Sequence, residues 1–184
     1  IPSSIDVVMV LKVIGLAILC AILSSLFCIF MTIVHKLFRK YFKNQYLRVF
    51  AGGLMLVLLN IVLKTTDYNG TGMNIIAKAL NGDAQPAAFL LKALFTAITI
   101  GCGFRGGEIV PSFFVGATFG CVAGGLMGMD PGFAAALGMV CFFCGVVNCP
   151  LTSLFLSIEL FGANGIMFFT IGCAVSYMLS GYYS

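Results

Sequence analysis

The sequence predicts an all-α membrane protein built from broken and tilted helices, and three observations carry that expectation. Of its 184 residues, 61% are hydrophobic and only 9% are charged, with a mean hydropathy of +1.11. A soluble domain carries about 25% charged residues, so too few polar groups exist here to cover a water-facing surface. Residues 13–34, 49–63, 109–129, 131–158 and 160–184 contain no charged side chain, and several of these runs reach the roughly 20 residues that span a hydrocarbon core. In lipid every backbone amide must be satisfied internally, by helices or a closed barrel. The runs lack the alternation of barrel strands, which leaves helices. Finally, many segments are short and interrupted by Gly or Pro, the pattern of discontinuous helices that meet at a binding site.

In chain order, Ser3 or Ser4 can cap a first helix over 6–43, with Asp6 in its first turn. Its last turns carry His35, Lys36, Arg39 and Lys40, and Lys43 and Arg48 follow. The net charge of +4 is thereby concentrated in the 35–48 connection, which the positive-inside rule places in the cytoplasm. Basic residues that directly flank apolar spans orient a membrane protein and do not point to nucleic acid. A second helix over 47–64 ends on the opposite side at Lys64-Thr65-Thr66-Asp67. The turn-rich Tyr68-Asn69-Gly70-Thr71-Gly72-Met73 stretch feeds a helix over 74–80, too short to cross, which Asn81-Gly82-Asp83 breaks. Pro86 opens a helix over 86–102 whose one charge, Lys92, either snorkels to the surface or faces protein. Pro111 suits the first turn of a helix from Ile109 to about Met129. Asp130 precedes Pro131 and reads as the N-cap of a helix to 147. Pro150 starts another to 160, and Ala163-Asn164-Gly165 leads into the last, ending near 180.

Candidate chemistry sits where Arg105 and Glu108 bracket Gly106-Gly107 between two apolar segments. A helix starting at Ile109 presents unpaired backbone N–H groups and the positive end of its dipole. In low dielectric such an end attracts an anion, and the two glycines allow close approach to the backbone. The anion-binding candidates are therefore Gly106, Gly107, Glu108, Ile109 and Val110, acting through main-chain amides. No basic side chain need touch the ion, which favours its release. Glu108 is also the proton-coupling candidate; the structural alternative is that it caps the helix and pairs with Arg105. Gly116, Gly120, Gly124 and Gly128 recur at every fourth position and form a small-residue seam for close helix packing. Glu159, near the end of an apolar helix, is expected to bond backbone donors of a neighbour.

Other classes fare worse. Cys20, Cys28, Cys121, Cys141, Cys144 and Cys173 lie inside apolar runs, where cysteine behaves as a small hydrophobe. Cys141-Phe142-Phe143-Cys144 has no second such pair and His35 is the one histidine, so no metal and no cofactor is expected. An intramembrane hydrolase lacks its G-x-S-x-G elbow, and the expectation is that the chain is not an enzyme. A small-solute transporter of another fold with a similar half-helix site is the remaining alternative. The chain starts at Ile1-Pro2 without an initiator Met and stops at Ser184 straight after an apolar run. It is expected to be part of a larger membrane protein.

The run Gly103-Phe104-Arg105-Gly106-Gly107-Glu108-Ile109-Val110-Pro111-Ser112-Phe113-Phe114-Val115-Gly116-Ala117 resembles the Gly-Gly-Ile-Phe-Ala-Pro type motif and following Gly-Ala pair of the CLC chloride channel and transporter family. Gly138-Met139, Asn148-Cys149-Pro150-Leu151-Thr152 and Ile158-Glu159-Leu160 match in order and spacing, so the resemblance covers about 6–182. It implies that residues 1–184 form the C-terminal half of a CLC-type transmembrane domain, the second of two inverted repeats. It also implies transport of chloride or another small anion, as channel or anion/proton antiporter, with the missing N-terminal repeat completing the pathway. In the family, amides at the start of this helix reach the central anion, which places Glu108 and Ile109 there. The resemblance further implies a homodimer joined through 150–182 in a bacterial plasma membrane. Position 108 is usually apolar in the family; a Glu there resembles the bacterial branch that includes fluoride/proton antiporters. That branch often has Thr before the proline, where this chain has Val110. The family's tyrosine ligand begins the last helix, and Tyr182 and Tyr183 stand slightly ahead of that place.

Overall fold

A computed structural model describes residues 7–64, 68–104 and 106–181. Eight helices make up the described residues: α1 (Val7–Tyr41), α2 (Gln45–Leu63), α3 (Met73–Leu80), α4 (Ala88–Gly101), α5 (Ile109–Leu126), α6 (Pro131–Val147), α7 (Pro150–Phe161) and α8 (Ile166–Ser180). The expected caps on Ser3, Ser4 and Asp6 lie outside the described residues, as do Thr65, Thr66, Asp67, Arg105, Tyr182 and Tyr183. Local chemistry sets several boundaries. Asn44 accepts a hydrogen bond from the Tyr46 N–H to start α2. Asp130 accepts one from the Phe133 N–H at 2.9 Å, with Pro131 in the first turn of α6. Asp130→Ala is expected to cost about 1 kcal/mol, read as a fall of a few degrees in the thermal midpoint of full-length protein in detergent.

The hydrophobic core is centred on α6, which is buried on all sides from Phe133 to Val146. α1 and α8 cover one of its faces, where Leu16 and Cys20 meet Leu137, Cys141 and Phe169. α5 covers another. Along that contact Gly116, Gly120 and Gly124 lie directly against the α6 backbone at Ala134 and Gly138, with no room for a side chain. The seam is one glycine shorter than the four-residue spacing suggests. Gly128 falls past the end of α5, in a left-handed turn at φ +66°.

Three helices, α1, α2 and α5, are long and apolar enough to cross a membrane, and α4, α6, α7 and α8 are shorter apolar helices. The outward faces are as apolar as the core. On α2 only Gly52 is buried, while Phe50, Leu54, Leu58 and Ile61 face outward. That inversion of a soluble bundle's surface fits a helical membrane protein.

Candidate functional site

α4 delivers the chain to residues 102–104, which contacts from α1 and α2 hold at the basic end of the bundle. Gly101 packs against Val34 and Phe38, and Gly52 lies against the Cys102 side chain. The Arg48 guanidinium donates through Nε to the Cys102 carbonyl at 3.2 Å, placing a cation at the carboxyl end of α4 where the dipole favours it. Arg48 is thus a structural contact of the loop as well as part of the basic cluster. Gly103 then turns the chain away at φ +95°, a conformation that suits glycine.

α5 begins immediately beyond. Its first intrahelical hydrogen bond runs from the Ser112 N–H to the Glu108 carbonyl at 3.0 Å, and Pro111 has no N–H to offer. The N–H groups of Ile109 and Val110 are left with no acceptor inside the helix. These residues line a cavity of about 680 Å³, one wall of which is Gly106, Gly107, Ile109, Val110 and Pro111. The other wall is the 68–71 loop with Lys92, Thr96 and Thr99. Both threonine hydroxyls donate back along α4, to the carbonyls of Lys92 at 2.8 Å and Phe95 at 2.7 Å. A side chain at Gly106 or Gly107 would meet no atom within 4 Å, so these positions leave space without supporting the fold.

Glu108 stands apart from the other four candidates. It occupies the N-cap position at φ −85° and ψ −15°, but its carboxylate makes no capping hydrogen bond. The reading in which it caps α5 is therefore set aside, and Arg105, its partner in that reading, lies outside the described residues. The side chain is exposed and lines a second cavity of about 690 Å³ with His35, Lys36, Arg39 and Lys40 of α1. Two neighbouring cavities thus flank the start of α5, one lined by residues of its first turn and one by Glu108 and basic side chains.

Lys92 does not snorkel. It is 2% exposed and donates from Nζ to the Tyr68 carbonyl at 3.0 Å and the Gly70 carbonyl. The same ammonium lies 5.1 Å from the centre of the Phe114 ring. Nearby, Asn60 and Asn69 exchange amide hydrogen bonds at 3.2 and 3.0 Å, tying the 68–71 loop to α2. Sequence reasoning did not foresee this wall; its one signal was polar Asn60, Asn69 and Thr71 beside apolar runs. Glu159 is exposed, and no backbone donor among the described residues bonds it. Among the described residues no group of three or more His, Cys, Asp or Glu side chains comes together.

Comparison with known proteins gives these features a context. The sequence model of the voltage gated chloride channel family matches residues 1–181. The chain is 33% identical over 163 residues to a chloride/fluoride channel protein of Pseudomonas syringae pv. tomato, covering 84% of this chain and 36% of that protein. It is 26% identical over 152 residues to the H(+)/Cl(-) exchange transporter ClcA of Vibrio cholerae, covering 76% of this chain and 32% of the transporter. The fold superposes on the crystal structure of a CLC-type fluoride/proton antiporter with a TM-score of 0.94 and 31% identity, covering 100% of this chain and 47% of that one. The chain therefore spans less than half the length of each of these proteins.

Proposed function

This chain belongs to the voltage-gated chloride channel family, and we propose that the protein it forms part of moves small anions across a membrane through a site half built by the first turn of α5. The carrying observation is the pair of Ile109 and Val110 N–H groups, which have no intrahelical acceptor and belong to residues that line a cavity with Gly106 and Gly107. Backbone donors at a helix start hold an anion by dipole and hydrogen bond without a salt bridge, so the ion can leave. In this reading residues 1–184 are the C-terminal half of the transmembrane domain, and the N-terminal repeat supplies the rest of the site. The homodimer would form through α7 and α8, where Leu151, Phe155, Met167 and Met178 are exposed. The membrane would be a bacterial plasma membrane with the 35–48 connection in the cytoplasm, as the bacterial relatives and the one-sided basic cluster support. The start of α5 then opens toward the cytoplasmic side, since residues 102–104 pack against that end of α1 and α2.

Both chloride and fluoride are supported as substrates by the relatives, and Glu108 favours the fluoride/proton branch. Glu108 lies one residue from the amide pair, with an uncommitted carboxyl facing the basic cavity. A carboxyl there is suited to carrying a proton past the ion. The test uses full-length protein in liposomes, with anion efflux and proton uptake recorded together. Glu108→Gln is expected to retain anion flux while proton transport falls at least about tenfold. Unchanged coupling and anion flux would remove any special role for this carboxyl. The fragment alone is expected to give no selective efflux.

A further inference from the structure

Lys92 carries a charge that the transport reading above does not use. Its ammonium is buried, and its partners are two carbonyl oxygens and a ring face, with no carboxylate partner among the described residues. Burying an ammonium is expensive unless it is well coordinated, and among the described residues its coordination consists of neutral groups alone. The residue lines the same cavity as Ile109 and Val110. Phe114, beneath the ammonium, lies five residues into α5, which is about 8 Å along the helix axis from Ile109. A charge at that range, within about one Debye length, is only partly screened by salt.

We propose that Lys92 is an affinity-setting residue of the anion site, one that draws the ion by its field and does not grip it. The proposal rests on the anion-transport reading of α5 and adds a residue to it. Two of the three ammonium N–H groups are spent on the Tyr68 and Gly70 carbonyls, and the Phe114 ring takes the remaining face. The side chain is therefore held in place and cannot swing onto the ion. A fixed cation beside the cavity lowers the energy of any anion at the amide pair without forming a contact that must break on release. The same bonds make Lys92 a clamp on the 68–71 loop, so charge and loop position need separate tests.

Four variants of the full-length protein in liposomes separate the two roles, with half-saturating anion concentration and maximal rate measured for chloride and for fluoride. Lys92→Gln keeps a donor for the carbonyls but loses the charge; Lys92→Arg keeps the charge. Asn60→Leu removes the second loop anchor and leaves the charge alone. Thr71→Lys adds a cation from an exposed position on the same cavity wall, where folding is not at stake. The expected result is a half-saturating concentration raised roughly tenfold in Lys92→Gln, near wild type in Lys92→Arg and Asn60→Leu, and lowered several-fold in Thr71→Lys. Equal half-saturation in Lys92→Gln and wild type overturns the proposal. So does an Asn60→Leu variant as impaired as Lys92→Gln, which would reduce Lys92 to a loop clamp. If Lys92→Gln does not fold, an unchanged half-saturation in Thr71→Lys overturns it alone. Absence of anion transport by the unaltered protein would instead sink the transport reading, and this inference with it.

Discussion

Gly120→Leu is expected to leave almost no correctly folded protein. A Cβ at this position would stand 2.9 Å from the Gly138 Cα and closer still to the Ala134 carbonyl. The obstacle is backbone on the central helix, so no rotamer change on the other side relieves it. α5 and α6 would have to separate along the seam, undoing packing at Gly116 and Gly124 as well. Overpacking of this kind costs about 1–3 kcal/mol when side chains can yield, and more when they cannot. Only a loss approaching the total stability of about 5–15 kcal/mol removes most of the native state, and a leucine forced into backbone along a whole helix seam is expected to reach it. The monodisperse peak of the full-length protein in size-exclusion chromatography should collapse, whereas Gly125→Leu, where a side chain meets nothing within 4 Å, should leave it intact.

The same substitution at Gly107 is expected to do the opposite. Its Cβ would also meet nothing within 4 Å, so stability should stay within about 0.5 kcal/mol of wild type. The added side chain enters the cavity lined by Ile109 and Val110, occupying the space an anion needs and removing close approach to the backbone. Anion flux by Gly107→Leu in liposomes should fall by at least about tenfold, with an unaltered chromatographic profile; each lost or displaced charge-assisted hydrogen bond is worth about 1.5–3 kcal/mol. A variant with normal flux would separate this cavity from the transport path. The contrast between Gly107 and Gly120 distinguishes a glycine that leaves room for a ligand from one that leaves room for another helix.

Helix existence and order were legible because their signals are local. Pro131 after Asp130 and Pro150 after Asn148-Cys149 mark helix starts through chemistry that involves only adjacent residues. The start of α5 was legible for the same reason, since Glu108 to Pro111 lie within one turn of chain. The fate of Lys92 was not, because snorkelling and burial differ only in whether carbonyls from residues 68 and 70 are at hand. Glu108 shows the same limit: its carboxyl faces His35 and Arg39, more than sixty positions earlier, and no spacing rule brings α1 to that place. The four-residue glycine repeat ran on to Gly128 in the sequence, but α5 ends at Leu126 and the periodicity loses its meaning there. Family resemblance supplied an expectation that local chemistry does not carry, namely that this site is completed by another repeat.

The proposed site depends on binding of the transported anion by main-chain amides at the start of α5. It is tested most directly by following the amide proton shifts of Ile109 and Val110 in full-length protein labelled with 15N at isoleucine and valine, as chloride or fluoride is titrated in. Both signals should move downfield with the half-saturation seen in transport, while the amide of Ile98, buried within α4, should stay in place. Saturable transport without movement of the Ile109 and Val110 amides would place the anion site elsewhere.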